Sequence, residues 1–325
     1  MVIENTGVWM VNRKKRRVMR DAIRAAVFAI AGVAVSAPLL AQSAAQNPDA
    51  ACAAKNENDS AVVGTVTFTA YQSNDGACLL VMSGGNVVYR NALDSFEKFT
   101  LGQPGDPQYA IPAIVNGTDV TGRGHPDMIV SLFTGGAHCC TVHYVFEIEP
   151  TAKLLATLND SDDDLAHFEQ DPVDKRYSYI TADWTFAYWP SCFACSPSAL
   201  VKLRWVDHGK GGGFHLAMDK MQTPAPPTAE WNKDLSATQK AVSAGSVDDI
   251  GQPLWGTVLN LIYTAHSDLA WKFLDSVEAK AQEKPYPSLA DFCSLLKKSP
   301  YWPDLQPTLK SPPATCINAA PAATK

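Results

Sequence analysis

From residue 62 onward, apolar and polar positions tend to alternate. Val62, Val66, Phe68 and Tyr71 sit among Thr and Gly, and Cys78-Leu-Leu-Val-Met82 follows. After Gly84-Gly85-Asn86 comes Val87-Val-Tyr89. β-Branched and aromatic residues, punctuated by Gly and Asn roughly every ten positions, predict an antiparallel meander. The pattern recurs. Val88-Tyr-Arg90, Val145-Phe-Glu-Ile148 and Val201-Lys-Leu-Arg-Trp205 are spaced by 57 and 56 residues, and Cys139 and Cys195 by 56. Asp171 to Ile180 reads as a degenerate copy, 52 residues on, of a loop that opens at Asp119, with Tyr179 where Asp127 stood. Periods of about 55 residues suit irregular propeller-like or fan-like antiparallel repeats. A single irregular sandwich is the competing arrangement, and the visible repeats are too few for a closed propeller.

The period changes after Thr223-Pro-Ala-Pro-Pro-Thr228, a linker by composition. Leu254, Val258, Leu261 and Ile262 share one helical face. Ser267 opens a second helix with Leu269, Phe273, Leu274 and Val277 inward. Ser288-Leu-Ala-Asp291 resembles a capping box that starts a third helix with Phe292, Leu295 and Leu296 inward. The chain is therefore expected to be mainly β, followed by a small α-helical region. Its divisions are a signal peptide over 1–45, a β-repeat domain over 46–222, a helical region over 223–310 and a flexible tail over 311–325.

The leader rests on the basic run Arg13-Lys-Lys-Arg-Arg17, the uncharged stretch from Ala25 to Ala41 and the small residues Ala41-Gln-Ser-Ala-Ala45. Those 17 apolar positions fall short of a comfortable membrane span, so cleavage is expected, with no stable membrane insertion afterwards. Removing the leader leaves 20 basic against 31 acidic residues. That balance disfavours nucleic acid and anionic membranes as partners. All eight cysteines lie beyond the leader. An even number behind an export signal predicts disulfides and a periplasmic or secreted protein. The repeat register pairs Cys139 and Cys140 with Cys192 and Cys195. Cys293 then joins Cys316, and Cys52 joins Cys78.

The stretch Asp119-Val-Thr-Gly-Arg-Gly-His-Pro-Asp127 places Asp at the first and ninth positions of a glycine-rich loop, the spacing of a calcium cradle. It resembles the FG-GAP or VCBS repeat of integrin-type β-propellers, whose loops read Asp-x-Asn-Gly-Asp-Gly-x-x-Asp. Gly135-Gly-Ala-His-Cys-Cys140, directly after it, is similar to a motif in a group of exported proteobacterial proteins. The resemblance covers residues 115–205. It implies an extracellular binding scaffold, with Ca²⁺ held by Asp119, Thr121 and Asp127. Arg123 departs from the pattern at the fifth position. Its guanidinium is expected to displace the cation by bridging Asp119 and Asp127, which leaves no cofactor in the favoured reading and Ca²⁺ in the other.

Asp160-Ser-Asp-Asp-Asp164 lacks the glycine and the final glutamate of a calcium loop, so an acidic surface turn is expected. His138, Cys139, Cys140 and His143, with Cys192 and Cys195, have zinc or copper ligand chemistry, but oxidation competes for the thiolates. Cys192-Phe-Ala-Cys195 has the spacing of a thiol oxidoreductase, yet prolines rather than a helix surround it. Trp184, Phe186 and Tyr188, next to Trp189, are spaced to share one strand face. No phosphate loop, Gly-x-Ser-x-Gly or His-Glu-x-x-His occurs. The residues thus favour a non-catalytic binding or structural module of the envelope, with another envelope protein or a glycan as ligand. The alternatives are an envelope hydrolase or thiol-active enzyme, and a Ca²⁺-dependent adhesin-like module.

Overall fold

The computed structural model describes residues 52, 55–95, 97–135, 141–161, 163, 165–190, 192–207, 212–245, 250–279 and 287–318. The expected leader, residues 136–140 of the motif and residues 319–325 of the tail fall outside them. The rest is mainly β, in three consecutive four-stranded antiparallel sheets, none closed on itself. The first comprises β1 (Asn56–Val63), β2 (Val66–Ser73), β3 (Gly76–Ser83) and β4 (Asn86–Leu93). The second comprises β5 (Lys98–Leu101), β6 (Asp127–Phe133), β7 (Thr141–Glu147) and β8 (Lys153–Asn159). The third comprises β9 (His167–Gln170), β10 (Tyr177–Asp183), β11 (Ala199–Val206) and β12 (Gly213–Leu216). Each strand pairs with the next in sequence, as a meander requires.

Local chemistry explains the hairpins. Gly84 and Gly85 both adopt positive φ, 55° and 82°, the conformation a two-residue turn needs to follow the strand twist. Gly76 opens β3 where a Cβ would meet the Leu93 carbonyl oxygen at 2.0 Å, so only glycine lets β3 and β4 pair there. The three similarly spaced segments do not all fall at the same place in their sheets. Val145 and Val201 both lie in the third strand of their sheets, whereas Val88 lies in the fourth strand of the first sheet. The Asp119 and Asp171 loops both connect the first and second strands of their sheets.

The second sheet is buried on both faces, which is why Met128 to Leu132 contains almost no polar position. Met128, Val130, Leu132, Tyr144 and Phe146 join Phe68, Val81 and Phe99 in one core. There Phe146 meets Phe68 edge-on at 5.3 Å and Tyr89 at 5.1 Å. Ile129 and Val145, on the opposite face, belong to a larger core with Phe168, Tyr179, Val201, Leu203 and the helices.

Seven α-helices occur among the described residues: α1 (Met218–Met221), α2 (Thr228–Ala244), α3 (Thr257–Tyr263), α4 (Ser267–Glu278), α5 (Leu289–Leu296), α6 (Trp302–Leu305) and α7 (Ala314–Asn318). A π-helical turn, Gly251–Gly256, runs directly into α3. The Ser288–Asp291 capping box of α5 is formed as expected. Helix α2 was not legible in the periodicity, because only Thr238 and Val242 of its 17 residues are buried. Trp184, Phe186 and Tyr188 do not share a strand face. The strand β10 ends at Asp183, whose carboxylate accepts the Thr185 N–H at 2.9 Å and turns the chain. Phe186 then faces inward, while Tyr188 is 59% exposed at φ 60°. None of these helices is long and apolar enough to cross a membrane.

Candidate functional site

The Asp119 loop is closed by its own backbone. One Asp119 oxygen accepts the N–H groups of Gly122 (2.7 Å) and Arg123 (3.1 Å) and the Thr121 hydroxyl (3.2 Å). The other accepts the Gly124 N–H at 2.7 Å. Asp127 Oδ2 accepts both the Thr121 N–H and its hydroxyl at 2.9 Å, while the buried Oδ1 has no partner. Burial, opposed by the Thr121 bonds and assisted by the Asp119 charge, pushes the Asp127 carboxyl up to about 6. Arg123 does not bridge Asp119 and Asp127, which corrects the sequence expectation. Its guanidinium turns away to Glu147 (2.6 Å) and Asp207 (3.3 Å), over the Trp205 ring. The cause is Glu147, a buried carboxylate paired across the strands with Asp127. Two like charges in register repel, and Arg123 and Lys153 (2.9 Å) neutralise Glu147.

The matching loop of the third sheet uses the same device with signs reversed. Arg204 on β11 reaches Asp171 (3.0 Å) and Asp174 (2.7 Å), and Lys220 of α1 joins both carboxylates. Lys220 holds the Asp171 carboxyl down at about 2.

Asp160 is not part of a solvated acidic turn. It is 2% exposed, and its carboxylate takes up His143 Nδ1 at 2.7 Å and the Tyr179 hydroxyl. That network joins β7, β8 and β10. Burial raises the Asp160 carboxyl even beside His143. Asp163 accepts the Thr181 hydroxyl at 3.1 Å, and Asp162 and Asp164 lie outside the described residues. Sequence reading picked out His143 and Asp160 but kept them apart, His143 beside cysteines expected to form disulfides and Asp160 in an expected acidic surface turn. Among the described residues, no group of three or more His, Cys, Asp or Glu side chains is gathered to hold a metal ion.

Among the described residues, three disulfides form. Cys52–Cys78 and Cys293–Cys316 are the pairs expected. The third corrects the expectation, because Cys192 bonds to Cys195 rather than to the preceding repeat. The 3₁₀ turn Phe193–Cys195 brings their Cα atoms to 5.1 Å, within disulfide reach. Cys139 and Cys140 lie outside the described residues.

Among the described residues, two cavities are roomy enough for a small ligand. The smaller, about 450 Å³, lies among Tyr179, Phe214, His215, Tyr301 and Asp304. Its carboxylate is already engaged: Asp304 holds His215 Nδ1 at 2.9 Å and accepts the Leu216 N–H at 3.0 Å, tying α6 to β12. The larger, about 620 Å³, is the better ligand site. One wall is Thr223-Pro-Ala-Pro-Pro227, the segment that reads as a linker by composition, anchored where His266 Nε2 meets the Thr223 carbonyl at 2.7 Å. Leu261 and Phe273 contribute buried apolar surface, and Trp231 stands edge-on to Phe273 at 5.4 Å. Gln252 and Gly256 of the π-helical turn complete the rim. Such turns recur at functional sites.

No protein-family model, curated protein or solved structure matches the chain.

The site must therefore be read from its own chemistry. Glu230 and Asp234 stand one turn apart on α2, and both line the cavity. Neither forms an ion pair with another described residue, and no Lys or Arg is among the lining residues. Sequence reasoning missed this cavity because its parts come from a proline segment, a weakly amphipathic helix and a π-helical turn.

Proposed function

We propose that the protein is an exported, disulfide-stabilised binding module of the bacterial envelope, with its ligand site in the cavity between the proline segment and helices α2 to α4. The observation that carries this reading is the pairing of two unpartnered carboxylates with an aromatic wall in a cavity lined by no Lys or Arg, where the His266 ring is engaged by the Thr223 carbonyl. A ligand with an amino or guanidinium group on an apolar body fits that chemistry. Glu230 and Asp234 attract the cation, Trp231 offers a ring face, and Leu261 and Phe273 take the body. Amino-sugar glycans and basic segments of envelope proteins both present such groups. The three disulfides support an oxidising compartment.

In the same reading, the three meanders are blades of an open fan of the FG-GAP or VCBS type. Support comes from the Asp119 and Asp171 loops, which share a position between first and second strands. Calorimetric titration with glucosamine oligomers, their N-acetylated forms and a lysine-rich peptide tests the site. Binding of the amino forms, weakened on the order of tenfold by E230Q or D234N, is expected. Equal binding of acetylated and free-amine oligomers, or no effect of either variant, refutes the assignment.

A further inference from the structure

The three disulfides are not alike. Cys52, Cys78, Cys293 and Cys316 are all fully buried, beyond the reach of a thiol in solution. Cys192 is exposed and Cys195 half-buried. The Cys192–Cys195 bond spans a sequence separation of 3, against 26 and 23 for the others. A ring that small removes little chain entropy from the unfolded state, so stability alone is a weak reason for it.

Hydrogen bonds and close packing hold the loop alongside the sulfur bond. The Ser196 hydroxyl accepts the Tyr188 N–H at 2.7 Å and donates to the Cys192 carbonyl at 3.0 Å. Gln252 donates to the Ser196 carbonyl, and Gly251 packs so closely that a Cβ there would meet the Cys195 carbonyl oxygen at 2.3 Å. The Cys195 N–H donates to Cys192 Sγ at 3.1 Å, a bond that favours negative charge on that sulfur after the disulfide opens. Beside the loop, Phe193 stacks on Trp184 at 5.1 Å and meets the exposed Tyr188 at 5.4 Å, an aromatic face next to the accessible sulfur.

We propose that Cys192–Cys195 is a redox-active pair that exchanges with thiols, Cys192 being the sulfur attacked. A partner thiolate attacks Cys192 Sγ, the Cys192–Cys195 bond breaks, and its electron pair leaves on Cys195, which takes a proton from water. A second partner thiolate then attacks the partner sulfur of the mixed disulfide and releases Cys192 as a thiolate. In sum, two partner thiols become one partner disulfide as the protein disulfide becomes a dithiol. The exchange uses no cavity carboxylate, although Gln252 touches both the cavity rim and the Ser196 carbonyl.

The test equilibrates the folded, oxidised protein in glutathione buffers of graded ratio, then alkylates it and maps each cysteine by peptide mass. Cys192 and Cys195 are expected to become alkylated at a reduced-to-oxidised ratio at least roughly tenfold lower than the other two pairs need. C195S, with folding checked by circular dichroism, should form a glutathione adduct on Cys192. C192S should react with Cys195 on the order of tenfold more slowly, as its burial dictates. A parallel run with a reduced dithiol peptide should open the native pair without a lasting adduct, because the second thiol resolves it. Opening of all three pairs together, or equal adduct formation by C192S and C195S, overturns the proposal.

Discussion

Replacing Asp127 with Asn isolates the cost of burying one carboxylate. Asp127 is 2% exposed, its Oδ1 has no partner and its carboxyl is raised from 3.8 to about 6. Burial comes first among the causes, and repulsion from Asp119 adds to it. Below about pH 4 the carboxyl is protonated in both folded and unfolded chains and carries no ionisation penalty. Between about pH 4 and 6 the unfolded chain ionises first, so the folded state loses stability as pH rises. Above about 6 the full penalty stands. The gap between 3.8 and about 6, at about 1.36 kcal/mol per pH unit, comes to ~3 kcal/mol. D127N removes it, and because the shift to about 6 is already net of the Thr121 bonds, no further loss is subtracted. The variant should therefore be more stable than wild type by ~3 kcal/mol at pH 8, with that advantage gone by about pH 4. Urea unfolding of both proteins at half-unit intervals measures the difference and cancels every other titrating group. A difference constant across that range refutes the reasoning. So does a D127N that is less stable at pH 8, which would mean that the anion is welcome where it sits.

Three other perturbations probe separate parts of the fold. Phe146→Ala removes the ring that meets both Phe68 and Tyr89, and urea unfolding should show a loss of about 3–5 kcal/mol. The double variant C293S/C316S opens a loop of separation 23 and should cost roughly 3–4 kcal/mol, whereas C192S/C195S, with separation 3, should cost only about 2. Equal losses in the same assay would show that loop length is not the governing term. Millimolar Ca²⁺ should leave the urea midpoint unchanged, since Arg123 brings its cation to Glu147 of β7 beside the loop and the Asp119 oxygens hold backbone N–H groups. A rise that vanishes in Asp119→Ala would instead favour the adhesin-like reading.

Much of the architecture was legible from period alone. Alternation marked the meanders because strands with one solvated face keep polar residues at every second position, as β2 does. The stripes of α3 to α5 were legible for the corresponding reason at helical spacing, and the Ser288 capping box marked where α5 begins. Cys293–Cys316 followed from the loop it ties back to its helix, and Cys52–Cys78 was the pair left over. The candidate site was far less visible. Glu230 and Asp234 look like any solvated helix face, and the proline segment looks like any linker, until residues far along the chain, Leu261 and Phe273, close the cavity from below.

Tertiary contact also decided where each charge went. By spacing, Arg123 belongs with Asp119 and Asp127. Its partner became Glu147, because the β6–β7 register put a second carboxylate opposite Asp127 and that buried charge needed a cation. Asp160 reads as the start of an acidic surface turn, but it turned inward to meet His143 and Tyr179 from two other strands. By itself, the sequence determined the local periods, the turns and the cysteine inventory, which depend on neighbours along the chain. Pairing of buried charges and enclosure of a cavity depend on neighbours in space, and only the folded chain supplies those.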